Sequence, residues 1–239
     1  MAQPIPAPAA AQFANPLPII GTQYCEPYPV DLSVVREDKF MSPGNFVVTA
    51  TNESKNTVIF TGKRNLRTLD LDQRVLLDAA GKPIVTLRQK RMIMTSQQRW
   101  NVYRGKSKEP RDLIFTVNKG SVSMFQRKAK VHVFLANNTK EEVCDFMVQG
   151  SRAEKSCVVY TGDHTNIVAQ MCKKTTVRSV LIGKEKYSLT VHPNVDYAFI
   201  VALILILDDM NHITDMDGLL FNSGMTVAGL PASVNVPGK

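Results

Sequence analysis

A chain of 239 residues is long for one ordinary domain and short for two, so one large domain, or one domain with tails, is expected. Hydrophobic residues at 44% and charged residues at 21% lie near globular averages, which excludes a fully disordered, collagenous or polytopic membrane protein. The 29 Lys and Arg against 21 Asp and Glu give a net charge of +8. That balance points toward acidic partners such as lipid headgroups, nucleic acid or acidic protein surfaces, without choosing among them.

Residues 1–20 carry Pro4, Pro6, Pro8, Pro16 and Pro18 among alanines, with no basic n-region or continuous apolar stretch, so they do not read as a secretory signal. Residues 1–23 are expected to be a flexible Pro/Ala-rich tail, 24–210 the folded domain and 211–239 a C-terminal extension. Cys25, Cys144, Cys157 and Cys172 lie far apart with no C-x-x-C pair, which suggests free thiols rather than a disulfide framework or a zinc site. Cys157 and Cys172 sit within apolar strands and read as core fillers.

From Val30 onward, short runs rich in Val, Ile, Thr, Phe and Tyr recur between Gly, Asn, Asp and Pro, the pattern of an all-β sandwich or barrel. The expected strands are 31–36, 46–51, 58–61, 74–78, 84–88, 99–103, 113–117, 131–135, 145–148, 157–160, 167–172 and 187–191. The clearest hairpin is 75–87, where Gly81 supplies the positive φ that a tight reversal favours. Loops this short force antiparallel neighbours.

One segment breaks the pattern: residues 197–207, Tyr-Ala-Phe-Ile-Val-Ala-Leu-Ile-Leu-Ile-Leu, are apolar throughout and are flanked by Asp196, Asp208 and Asp209. An unbroken apolar run can be helix or strand, and its length favours a helix over about 196–210 with Asn194 or Asp196 as N-cap. Eleven residues rise only about 16 Å, about half of a hydrocarbon layer, so a single-pass span is not expected. A helix apolar on every side must be surrounded by protein. Burying its eight large side chains contributes at most roughly 12–24 kcal/mol, against a net domain stability of about 5–15 kcal/mol. Phe199, Ile200, Leu203, Ile204 and Leu207 are therefore expected to form a structural core helix. An eight-stranded barrel is filled by its own side chains, whereas about twelve strands leave room for a helix roughly 10 Å across. The expected fold is mainly β: an antiparallel closed barrel of about twelve strands enclosing a hydrophobic C-terminal helix.

The same order, with Val75-Leu76-Leu77-Asp78, Gly81-Lys82-Pro83-Ile84, Trp100-Asn-Val-Tyr-Arg-Gly105, Arg111-Asp-Leu113, Asp145-Phe-Met-Val-Gln-Gly150, Cys157-Val-Val-Tyr160, Ile167-Val-Ala-Gln-Met171 and Pro193-Asn-Val-Asp-Tyr-Ala-Phe199, resembles the plant LURP-one-related family over about residues 24–210. Members look like tubby C-terminal domains and phospholipid scramblases, so the resemblance implies a twelve-stranded barrel around a hydrophobic helix. The family's namesake is associated with plant defence, and the resemblance supplies a fold more than a reaction.

Between Thr86 and Lys130 lie twelve basic residues against Glu109 and Asp112, a larger excess than the net charge of the whole chain. Lys90, Arg91, Arg104, Lys106, Lys108 and Arg111 are the candidates for binding anionic phospholipids; a solvated barrel exterior is the plainer reading. The scramblase-like segment before the helix, Gly183-Lys-Glu-Lys-Tyr187, offers one carboxylate between two lysines, a poor calcium site. Asp215-Met-Asp217-Gly218 departs from a calcium loop at both ends, and no metal or other cofactor is expected. No nucleophile elbow, P-loop or dinucleotide fingerprint occurs, and His132, His164, His192 and His212 lack ligand spacing, so no catalytic residue is assigned. The expected role is a non-enzymatic regulatory or interaction protein in plant defence or stress, in cytoplasm, nucleus or at the membrane periphery. It would touch anionic phospholipids or protein partners and have no transmembrane span. The alternatives are a DNA-associated transcriptional regulator, weakened by a single Trp and no readable recognition helix, and a scramblase-like lipid transporter.

Overall fold

Twelve strands lie among the residues described by the structure, a computed structural model covering 13–39, 42–52, 55–64, 73–91, 98–119, 128–151, 156–174 and 185–222. They are β1 (Val30–Lys39), β2 (Ser42–Asn52), β3 (Lys55–Arg64), β4 (Gln73–Asp78), β5 (Pro83–Arg91), β6 (Gln98–Arg104), β7 (Leu113–Lys119), β8 (Lys128–Leu135), β9 (Phe146–Ser151), β10 (Ser156–Thr161), β11 (Ile167–Lys174) and β12 (Glu185–Val191). Consecutive strands pair antiparallel, and β1 closes the ring on β12 from Val30 opposite Val191 to Arg36 opposite Glu185. Closure leaves no strand edge with unpaired backbone groups. Every expected strand is present. Most run further than their apolar stretches because terminal residues such as Glu37, Asp38 and Lys39 in β1 are polar and yet belong to the strand. The 75–87 hairpin turns as expected, with Gly81 at φ 79° and its N–H donating to the Asp78 carbonyl at 3.0 Å.

Side chains alternate along each strand. Leu32 and Val34, Phe46 and Val48, Trp100 and Val102, Phe115 and Val117, and Val131 and Val133 are buried, and cross-strand partners such as Leu32 and Leu189 share the inner face. Alternation also corrects the reading of Cys172: it follows Gln170 on the outer face of β11 and is exposed, whereas Cys157 is buried. Arg74, at an inward position of β4, is only 1% exposed; its guanidinium lies 5.1 Å from the centre of the Phe46 ring and donates to the Gly44 carbonyl.

Helix α1 spans Tyr197–Asn222, past the expected end at Met210. The chain divides into two compact units, Met1–Ile206 and Leu207–Lys239. In the first, no side chain from Ala198 to Ile206 is more than 3% exposed. The Phe199 ring meets Phe115 of β7 at 5.1 Å and Phe146 of β9 at 5.0 Å, while Tyr197 meets Phe60 of β3 at 5.7 Å. Strands β3 and β9 stand half a turn of the ring apart, so barrel wall faces the helix from opposite sides. In the second unit, the helical backbone runs to Asn222, and Leu207, Asp208, Asp209 and Met210 are buried.

At Gly62 of β3 the wall lies close against the helix. A Cβ there would stand 3.0 and 3.1 Å from the Leu205 methyls and 3.4 Å from Phe46 Cβ. Gly62→Ala is expected to cost about 1–3 kcal/mol by overpacking, and Leu205→Ala about 2–5 kcal/mol by leaving a cavity. The double variant, measured by urea unfolding, should lose less than the sum by roughly 0.5 kcal/mol or more, since each change relieves the other. Simple additivity would show that these two residues do not press on one another.

Candidate functional site

The hydrogen-bonded loops 79–82, 105–112, 136–145, 162–166 and 192–196 all lie at the end of the barrel where α1 begins, as the alternating strand directions require. At that end Asp196 is fully buried. Its Oδ1 accepts the Phe199 N–H at 3.0 Å, an N-cap on the third helical residue. Its Oδ2 accepts the N–H groups of Ile19, Ile20 and Gly21 at 3.0, 2.6 and 3.0 Å. One carboxylate thus caps the helix and fixes a chain segment more than 170 residues away in sequence.

This segment is a strap across the barrel end. Leu17 N–H donates to the Asn194 carbonyl at 2.8 Å, Asn194 N–H to the Glu26 carbonyl at 2.6 Å, and the Asn194 side chain to the Phe13 carbonyl at 2.6 Å. Asn194 adopts φ 64°, a left-handed conformation that asparagine tolerates better than most residues. Thr22–Tyr24 form one 3-10 turn, and Ile20 is buried. Phe13, Leu17 and Ile19–Gly21, expected in a tail, are therefore held by the Asp196 and Asn194 contacts; residues 1–12 lie outside the described part.

Of the six candidate lipid-binding cations, Arg104 closes β6, and Lys106, Lys108 and Arg111 follow in the exposed β6–β7 loop beside it. Arg104 Nη1 donates to the Ile20 carbonyl at 3.0 Å, tying this loop to the strap. Arg111 has Nε 4.0 Å from Asp112, whose carboxylate also accepts from the Ser107 hydroxyl at 2.5 Å. Lys90 and Arg91 lie elsewhere. In the β5–β6 ladder Arg104 is opposite Val85 and Lys90 is opposite Arg99. Five strand residues separate the two levels, about 17 Å. Lys90 is exposed there, and the Arg91 side chain lies outside the described part. The six cations do not share one surface. Of the core-helix residues, Phe199, Ile200, Leu203 and Ile204 are buried within the barrel unit, and Leu207 is buried in the second unit.

A second polar contact gives no local signal in sequence. Glu141 comes from the β8–β9 loop at φ 52° and accepts from Arg99 through both guanidinium nitrogens, at 2.5 and 2.9 Å, and from the Thr116 hydroxyl at 3.2 Å. The Arg99 hydrogen bond is the main cause holding the Glu141 carboxyl below the usual range, against a smaller opposing effect of burial. His132 faces out of β8 beside Phe134; burial, then Lys130 and His164, push its pKa down. Burial drives the Cys157 thiol up to about 12, and burial followed by the Asp196 charge takes Cys25 up to about 11, so neither is a ready thiolate. Among the described residues no three His, Cys, Asp or Glu side chains are grouped to hold a metal ion, and no helix is long and apolar enough to cross a membrane.

Comparison with known proteins identifies the architecture. A profile described as LURP-one-related matches residues 30–208. The chain belongs to the LURP-one-related family. Protein LURP-one-related 15 of Arabidopsis thaliana is 49% identical over 193 residues, 81% of this chain and 85% of that protein. Protein LURP-one-related 10 from the same plant is 46% identical over 193 residues, 81% of this chain and 96% of its own. An X-ray structure of an Arabidopsis thaliana protein superposes on this LURP-one-related barrel with a TM-score of 0.62 at 43% identity, covering 81% of this chain and 98% of that one.

Two expectations test the contacts at this end. Asp196→Ala should destabilise the domain by about 3 kcal/mol or more, because buried N–H donors lose their acceptor, and should speed amide exchange at Ile19, Ile20 and Gly21 ahead of the strands. Asp196→Asn, keeping one acceptor oxygen, should do less on both counts. The Glu141 pair stabilises fully above the ordinary glutamate range and is lost as pH falls through its depressed pKa. Glu141→Gln should therefore flatten the acid side of a Tm-against-pH curve and leave the slope at neutral pH unchanged.

Proposed function

We propose that this protein is a non-enzymatic regulatory module in plant defence or stress responses that associates reversibly with anionic phospholipid surfaces through the β6–β7 loop. Family membership supports the defence setting, through the association of the family's namesake. The observation that carries the lipid reading is the loop itself: Lys106, Lys108 and Arg111 are all exposed on one short loop at the end of a rigid barrel. The barrel axis is occupied by α1 from Ala198 to Ile206, which supports recognition on the outside rather than in a lumen. Each basic side chain near an anionic surface contributes about 1 kcal/mol, so three give weak, salt-sensitive binding.

Arg104 is left out of the test because it also holds the strap at Ile20. In sedimentation with phosphatidylcholine vesicles, alone or with phosphatidylserine or a phosphoinositide added, only the anionic vesicles should carry the protein down, and added salt should release it. Replacing Lys106, Lys108 and Arg111 together by Glu should weaken binding by roughly a hundredfold or more, at about 1.4 kcal/mol per tenfold. A parent protein that ignores anionic vesicles, or a variant that binds as well as the parent, would overturn the lipid reading.

A further inference from the structure

The first 35 residues contain two acidic side chains, Glu26 and Asp31, and neither Lys nor Arg, within a chain of net charge +8. The strap brings part of this acidic stretch to the barrel end where α1 starts, against an aromatic cluster. Phe60, only 2% exposed, is its floor. Tyr24 and Tyr197, both partly exposed, stand on it, with ring centres 5.7 Å from Phe60 and 5.6 Å from each other. Tyr28, four residues after Tyr24 on the same strap, is 58% exposed between exposed Pro27 and Pro29. The Tyr28 phenol hydrogen-bonds to the Glu26 carboxylate, which raises its pKa, and after burial the same carboxylate is the next cause raising Tyr197. Glu26 follows Cys25, which pairs with Asp196 next to Tyr197, and its carbonyl accepts the Asn194 N–H at 2.6 Å, so the strap sets it between Tyr24 and Tyr28 beside the start of α1.

Packing explains part of this arrangement. Tyr24 joins the strap to β3 and α1 through ring contacts, but Tyr28, more than half exposed, adds little to that. Among the described residues Tyr28, Val58 and Val143 are the large exposed hydrophobics, and Val58 lies two residues before Phe60 on β3. Tyrosine faces attract cations through the ring quadrupole, and tyrosine and arginine are enriched at binding hot spots. A guanidinium can lie flat on an aromatic face while donating two parallel hydrogen bonds to one carboxylate, which an ammonium cannot do.

We propose that Tyr24, Tyr28, Tyr197 and Glu26 form a docking site for an arginine-bearing segment of a partner protein. The guanidinium lies against the tyrosine rings and donates to Glu26, and the negative charge of this region in a basic protein selects a cationic partner. The site shares no residue with the β6–β7 loop, so it stands or falls apart from the lipid reading.

The test is fluorescence anisotropy with the full chain and a fluorescein-labelled peptide carrying three arginines among prolines and serines, beside matched lysine and glutamate peptides. The arginine peptide should bind saturably and about fivefold or more tighter than the lysine peptide, with no saturable binding of the glutamate peptide. Tyr28→Ala and Glu26→Gln, both on the outer part of the face, should each weaken it about tenfold or more without moving the thermal transition. Tyr24→Phe and Tyr197→Phe, which keep the rings, should change it by less than about threefold. Glu substitutions at Lys106 and Lys108 should leave it unchanged. Equal binding of arginine and lysine peptides, insensitivity to Tyr28→Ala and Glu26→Gln, or no saturation would overturn the proposal. So would self-association of the chain abolished by Tyr28→Ala, which would make a second copy the occupant.

Discussion

An α-helix without a polar face cannot be left in water, and the rest of this molecule follows from enclosing one. From Ala198 to Ile206 every side chain of α1 is buried, and twelve antiparallel strands make a ring wide enough to hold it. Fewer strands would leave no room, and an open sheet would leave one side of the helix bare. The wall is shaped to its contents: Phe115 and Phe146 converge on Phe199, while Gly62 has no side chain where a Cβ would press on the Leu205 methyls. The barrel axis is thereby filled by α1, and only the loops and the outer face of the wall meet solvent.

Enclosure creates a second requirement at the mouth of the barrel. The first turn of any helix carries N–H groups without intrahelical partners, and burying them unpaired is costly. Asp196 meets this by accepting from Phe199, but its other oxygen would then be a buried acceptor in need of donors. The strap supplies three from Ile19, Ile20 and Gly21. Capping the helix and closing the barrel end are thus one interaction.

The barrel and its axle were legible in the sequence because both advertise themselves locally. Each strand shows as a short run rich in Val, Ile, Thr, Phe and Tyr between turn residues, and residues 197–207 show an apolar run that no surface helix would carry. Features joining distant positions were not legible. Asp196 could be read as an N-cap, since that needs only the next three residues, but its strap partners lie 175 to 177 positions away. Glu141 gives no sign in sequence that it will reach Arg99, 42 residues back. The six candidate cations, from Lys90 to Arg111, look like one cluster along the chain, yet an antiparallel hairpin carries Lys90 away from the mouth and brings Arg104 back to it. Strand membership does not decide which face Cys172 takes; its parity with exposed Gln170 does.

The strap also ranks the charges at the mouth. The Ile20 peptide is held from both sides, its N–H by Asp196 and its carbonyl by Arg104. An anion that drew Arg104 outward would have to replace a charge-assisted hydrogen bond, about 1.5–3 kcal/mol, before gaining anything. Arg104, at the β6 end of the basic loop, therefore gives up a contact with the strap if it turns to a ligand. Lys106 and Arg111 sit further out, where attraction to a negative surface breaks no contact with the strap. Further along the same strap stand Tyr24 and Glu26, so a cationic loop and an aromatic, acidic corner are tied to one segment. Whatever loosens the Asp196 clamp loosens both, so each of the two proposed binding surfaces depends on the stability of this barrel end.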